Sequence, residues 1–197
     1  MKGIFLIKIM KKHILLFAVL GFIYFSGSAQ KQQVSKTPNR PNIIVFLVDD
    51  MGWQDTSVPF WTKTTELNKR YHTPNMERLA KDGMKFTNAY ATPVCTPTRI
   101  SMLTGMNTTK HGVTNWTSPK KDTNSEQKDE QMESASWMIN GLSPIPNILK
   151  TVYATPFPKL LKEAGYFTVH VGKAHWASMG TPGANPYNLG FMVNVSG

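Results

Sequence analysis

Cysteine is all but absent from this chain: Cys95 is the single thiol in 197 residues. No disulfide can therefore close within it. Long apolar runs are scarce too, and the most prominent one, residues 14–25, falls short of the ~20 residues a membrane-spanning helix needs. Carboxylates number 12 against 22 lysines and arginines, and none follows Glu163. The basic residues are scattered rather than striped, and no nucleic-acid module or internal repeat is recognisable, so no nucleic acid is expected as a partner.

The N-terminus carries a pattern of its own. Lys2, Lys8, Lys11 and Lys12 precede the apolar run, and Ser26, Gly27, Ser28 and Ala29 follow it, which describes a secretory signal peptide over residues 1–29. No cysteine stands after it to receive a lipid. The chain is thus expected to be exported, periplasmic or secreted, with no stable membrane span. Without the leader, 18 basic and 12 acidic side chains remain, so the formal charge of +10 becomes +6. That excess suits an anionic substrate or surface, or simply a solvated basic face. About 168 residues are left, enough for one ordinary domain.

Residues 30–38 are polar and read as a flexible lead-in to a domain over 39–197. Residues 42–48 form a continuous apolar run, as expected of a strand covered on both faces, and it stops at Asp49-Asp50 with Gly52 supplying a turn. Thr73 is a candidate N-cap and Pro74 a first helical residue, with Gly83 placed to end the helix in a left-handed conformation. Residues 84–90 read as a second strand. Residues 114–146 are rich in polar side chains and read as a long exposed excursion, pinned locally by Trp137 and Met138. A short helix over 158–164, closed by Gly165, leads to a third strand over 167–171. Alternating strands and helices predict an α/β fold, a mostly parallel sheet sandwiched by helices.

Three polar clusters fall just beyond expected strands, the edge where open α/β sheets bind ligands. Asp49 and Asp50 repel one another unless a cation or several donors offset them; oxygen ligands select a hard ion, and a surface turn is the plainer alternative. Cys95 stands where a helix is expected to begin, so free N–H groups could stabilise an anion there; a lone thiol can also be a small buried hydrophobe. Arg99, one turn on, could hold the nucleophile or an oxyanion, or be an ordinary helix-surface cation. Lys173 and His175, two apart in an extended segment, offer a fixed cation and a titratable donor on one side, or two solvated groups. His170 is expected to be structural and His111 to lie in a loop.

Together these residues resemble the sulfatase family of the alkaline-phosphatase-like superfamily. Cys95-Thr96-Pro97-Thr98-Arg99 with Leu103-Thr104-Gly105 is similar to its C-x-P-x-R…LTG motif, Asp49-Asp50-Met51-Gly52 to its first metal motif, and Gly172-Lys173-Ala174-His175 to its G-K-x-H element. The resemblance implies that a formylglycine-generating enzyme oxidises Cys95 to formylglycine during maturation. It implies Ca2+, with Mg2+ the less fitting ion, held by Asp49, Asp50 and residue 95. A hydrated aldehyde would then attack sulfur and release the alcohol, and its second hydroxyl would expel sulfate. Arg99 would stabilise the hydrate, while Lys173 and His175 would bind the sulfate and the developing charge. The implied substrates are sulfated small molecules or glycans. A phosphatase or phosphonate hydrolase of the same superfamily, or a truncated non-catalytic remnant, is the alternative, since the family completes its site with later residues that this sequence is expected to lack.

Overall fold

Prolines and glycines set the helix limits. In the computed structural model, which describes residues 40–118, 137 and 139–195, α1 spans Pro74–Asp82 with Pro74 at its first position, where a missing N–H costs nothing. Helix α2 spans Cys95–Thr104 and closes on Gly105 at φ 69°, a conformation that disfavours any residue bearing a Cβ. The single-turn α3, Thr108–His111, is capped by Asn107, whose side chain accepts the Lys110 N–H. Helix α4 spans Phe157–Glu163, one residue earlier than expected at each end. The leader over 1–29, the lead-in over 30–38 and residues 119–136 and 138 of the polar excursion lie outside the described residues.

The chain divides into two compact units, Met1–Phe46 and Leu47–Gly197. In the first, described residues 40–46 are exposed and form no ladder. The second contains two short parallel pairs. Strand β1 (Leu142–Ser143) pairs with β2 (Val152–Tyr153), and β3 (Val169–Val171) pairs with β4 (Val193–Val195) in the register Val169 to Val193. The fold is α/β, with its parallel sheet present as these two pairs rather than as one continuous layer.

The expected strands over 42–48 and 84–90 do not form. A strand exists only where its N–H and C=O groups meet a neighbour, and apolar patterning shows what a segment can bury, not what it pairs with. Ile44, Phe46, Met84, Phe86 and Tyr90 are all exposed. Thr73 does sit at the N-cap of α1, but its hydroxyl engages Ser57 and Thr56 instead of the helix, and Gly83 is extended rather than left-handed. Trp137 is exposed and pins nothing by burial, whereas Thr117, Ser118 and Asn140, in the expected exposed excursion, are buried.

The core gathers Ile100 and Leu103 of α2, Val113, Leu142 of β1, Trp176, Leu189 and Phe191. Trp176 stacks on Phe191 at 5.7 Å, and the His170 ring meets Trp176 edge-on at 4.7 Å. His170 is thus a packing residue, as its place in a strand suggests. Two-residue strands bury little by themselves; the helix and the aromatic cluster hold them in place. Among the described residues, no helix is long and apolar enough to cross a membrane.

Candidate active site

Helix α2 buries Thr96, Pro97, Arg99, Ile100 and Leu103, a spacing of three and four that fixes the rotation of the helix against the core. Cys95 then falls at its first turn, half-buried at the rim. Pro97 is tolerated there because first-turn N–H groups have no helical acceptor.

Arg99 is drawn inward with its neighbours and is only 6% exposed. Its guanidinium spans two elements: Nη1 donates to the Lys173 carbonyl at 2.6 Å and Nη2 to Asp49 Oδ1 at 3.0 Å. Lys173 completes the ring of contacts from the other side, with Nζ 2.6 Å from Asp49 Oδ2 and 3.2 Å from Cys95 Sγ. Each oxygen of Asp49 therefore meets its own cation. The Lys173 ammonium, and after it the Arg99 guanidinium, hold the Asp49 carboxyl down at about 2, and the same contact with Asp49 raises the Lys173 ammonium above its usual value.

The chain turns sharply at Asp49-Asp50, and Asp50 adopts φ 56°, a strained value for a residue with a Cβ. One carboxylate oxygen from each aspartate and Cys95 Sγ lie within 4.8 Å of one another. The turn is braced from behind: Asp55 Oδ2 accepts the Gly52 N–H at 2.8 Å, and Asp55 Oδ1 accepts the Tyr71 hydroxyl at 2.9 Å.

Lys173 and His175 do not share an extended segment. Gly172 at φ 92° and His175 at φ 51° break the strand after Val171. Lys173 reaches Asp49 and Cys95, while His175 Nε2 faces the Thr117 carbonyl at 3.4 Å. Burial pushes the His175 imidazole below its usual value, so it is neutral at neutral pH. His111, expected in a loop, is buried instead. Its Nδ1 accepts the Val113 N–H at 3.0 Å, which leaves the ring proton on Nε2, facing Ser101 Oγ at 3.0 Å.

The donor set can be tested against a hard divalent cation. Two carboxylates at one turn supply oxygens of the right kind, while the Cys95 thiol is too soft for such an ion and becomes compatible only if an oxygen replaces its sulfur. The aspartate pair fits; the unmodified cysteine does not. Two residues beside the site are not singled out by the sequence, Thr96 and Thr117. Thr96 Oγ1 accepts the Thr117 N–H at 3.0 Å. The signal for Thr96 lies in the stripe 96, 99, 100 and 103, which places a hydroxyl on the buried side of the helix.

Residues 41–193 match the sulfatase family model. The chain is 34% identical over 161 residues to an uncharacterized sulfatase of Schizosaccharomyces pombe, covering 82% of this chain and 24% of that protein. It is 33% identical over 171 residues to a sulfatase of Formosa agariphila, covering 85% and 28%, and 32% identical over 158 residues to human N-acetylgalactosamine-6-sulfatase, covering 80% and 25%. The chain thus spans about a quarter of the length of these relatives. With the family model matched over most of its length, this chain belongs to the sulfatase family.

Proposed function

We propose that this chain contributes to an exported hydrolase of sulfate monoesters, with carbohydrates or glycans as the substrate class. The observation that carries the reading is Lys173 Nζ at 3.2 Å from the one cysteine sulfur and 2.6 Å from Asp49. A cation held against both a carboxylate and the family's modifiable thiol is a site built for an anion.

Formal charge explains the rest. Asp49 and Asp50 offset Arg99 and Lys173, so the bare cluster is near neutrality, and a divalent ion on the two aspartates would leave it net positive, suited to a sulfate ester. Asp49, Asp50 and a modified residue 95 are the groups that would hold Ca2+, which supplies charge stabilisation for developing oxyanions. Conversion of Cys95 to formylglycine supplies an aldehyde whose hydrate offers oxygen nucleophiles at the helix rim. Arg99 fixes the position of Asp49 and of the Lys173 backbone; Lys173 presents its ammonium to the ester; His175, neutral at neutral pH, presents an imidazole that can exchange a proton with the departing group. N-acetylgalactosamine-6-sulfatase, by its name, acts on a sulfated amino sugar, which supports the carbohydrate class.

The reading is tested by expressing the protein with a formylglycine-generating enzyme and measuring the mass of the Cys95 peptide together with hydrolysis of an aryl sulfate and an aryl phosphate. Aldehyde at residue 95, sulfate preference, and loss of turnover in Cys95→Ala are expected. An intact thiol in an active enzyme, or phosphate preference that survives Cys95→Ser, overturns it.

A further inference from the structure

We propose that Asn140 is a positioning residue for His175: its buried amide holds both the peptide whose carbonyl faces the ring and the segment that carries the ring. This rests on the reading of His175 as a site residue, but not on the identity of the ester cleaved.

The Thr117 carbonyl faces His175 Nε2 at 3.4 Å. That carbonyl belongs to the Thr117–Ser118 peptide, whose N–H donates to Asn140 Oδ1 at 2.9 Å. The two groups point in opposite directions from one rigid trans plane, so the acceptor that takes the N–H sets where the carbonyl aims. The preceding peptide is held separately, by the Thr117 N–H on Thr96 Oγ1. Asn140 is buried, and its partners fix which way its amide lies. A backbone N–H can only donate, so Oδ1 must face Ser118, and Nδ2 is turned to donate to Ser178 Oγ at 2.6 Å.

Ser178 stands three residues after His175, so the same amide grips the chain on both sides of the contact. The backbone around Asn140 is itself tied down. Its own N–H donates to the Lys150 carbonyl at 2.7 Å, and the Leu142 N–H donates to the Trp176 carbonyl at 2.8 Å. At Gly141 the backbones run so close that an added Cβ would lie 2.6 Å from Ala177 Cα. A carbonyl can only accept, so its contact with His175 is a hydrogen bond only when the proton sits on Nε2. Nδ1, buried and without a partner among the described residues, is then the nitrogen at which a neutral ring takes up a proton. Releasing the Asn140 amide lets the Thr117–Ser118 plane turn and the His175 segment shift, and the proton is no longer held on Nε2.

Long-range proton–nitrogen correlation spectra of the chain labelled at histidine nitrogen test this directly, in mildly alkaline buffer, with His175→Gln to identify the ring. The wild-type chain is expected to show His175 as the Nε2–H tautomer alone. Asn140→Leu, similar in size but without the amide, should shift both ring nitrogens toward the averaged values of exchanging tautomers. His111, whose Nδ1 accepts a backbone N–H, reports whether the fold survives. An Nδ1–H ring in the wild type, or an unchanged His175 pattern in Asn140→Leu with the His111 pattern intact, overturns the proposal. If Asn140→Leu does not fold, Ser178→Ala decides, since it removes only the contact of Asn140 Nδ2 with the Ser178 hydroxyl: averaging of the His175 nitrogens supports the proposal, and an unchanged ring overturns it. No turnover is measured, so failure of the sulfatase reading would leave the tautomer result standing, and the reverse.

Discussion

Lys173 Nζ and Asp49 Oδ2 meet at 2.6 Å across 124 residues of sequence. Through that contact the segment after β3 is tied to the aspartate turn, and the ammonium is brought to the rim of α2 beside Cys95. Since Arg99 holds the other oxygen of Asp49, one carboxylate joins three separate parts of the chain.

The pairing makes acid stability depend on Asp49. Its folded pKa of about 2 lies below the ordinary 3.8, so the folded state gains from the charged form. That stabilisation is fully present above pH 3.8 and fades as pH falls through about 2. Asp49→Asn should therefore lower the urea midpoint at neutral pH and converge on the wild type in strong acid. In Lys173→Ala, which removes the larger cause of the shift, the Asp49 carboxyl should titrate closer to 3.8, as carbon NMR of the carboxyl would record.

His111 predicts a second pH window with the same sign. Burial depresses its pKa below the ordinary 6.5, so the unfolded chain takes up a proton before the folded one. Stability is unaffected well above pH 6.5 and declines as pH falls below it, until the folded ring itself protonates. Protonation also converts Nδ1 from an acceptor to a donor and breaks its bond from the Val113 N–H. His111→Asn, whose side-chain oxygen can accept that N–H, should show a shallower fall in unfolding free energy between about pH 7 and about pH 5; an unchanged slope would assign the proton uptake to another group.

Cys95 through Gly105 are readable from the sequence because short-range physics fixes them: a proline in the first turn, a three-and-four stripe and a closing glycine. The helix at 157–163 follows from the same kind of local signal, and the strand over 169–171 forms within the expected 167–171 because it meets β4 as a partner. Residues 42–48 and 84–90 are not, because strand formation depends on a distant partner, and no local pattern states whether it is there. The site is partly readable. Asp49, Asp50, Cys95, Arg99 and Lys173 stand out as polar clusters after expected strands, only the last of which forms, yet the sequence does not show that Asp49 takes both cations or that Arg99 grips the Lys173 carbonyl. His111 defeats a local reading because a His-Gly pair signals a turn, although the preceding Asn107 cap and the Ser101 hydroxyl draw it into the core.

Leu103 and Gly105 separate core packing from backbone strain at one helix end. Leu103 is 1% exposed within the main cluster, so Leu103→Ala should cost about 2–5 kcal/mol through lost burial and a residual cavity. A Cβ added at Gly105 would meet nothing within 4 Å, yet the backbone there, at φ 69°, is left-handed. Gly105→Ala should cost about 1–2 kcal/mol from the backbone alone, and Gly105→Asn less. Denaturant unfolding of the three variants measures both effects, and a Gly105→Asn as damaging as Leu103→Ala would contradict the assignment.

Arg99 cannot be replaced by lysine. Its two terminal nitrogens serve different acceptors, the Lys173 carbonyl at 2.6 Å and Asp49 at 3.0 Å, from a side chain almost removed from water. An ammonium is a point donor on a flexible stem and lacks the planar fork that spans both. Arg99→Lys should keep the positive charge and part of the Asp49 pairing while releasing the Lys173 backbone, at a cost of about 1–3 kcal/mol for the acceptor left unpaired. Arg99→Met loses both contacts and should be the less stable variant. In the formylglycine-bearing enzyme, both should depress turnover more than substrate affinity, because the Lys173 ammonium is displaced from the reacting centre while other contacts to the substrate persist. Thermal melts beside kcat and KM for an aryl sulfate distinguish the effects: Arg99→Lys with wild-type stability and wild-type kcat would mean that the charge alone suffices and that the fork has no role.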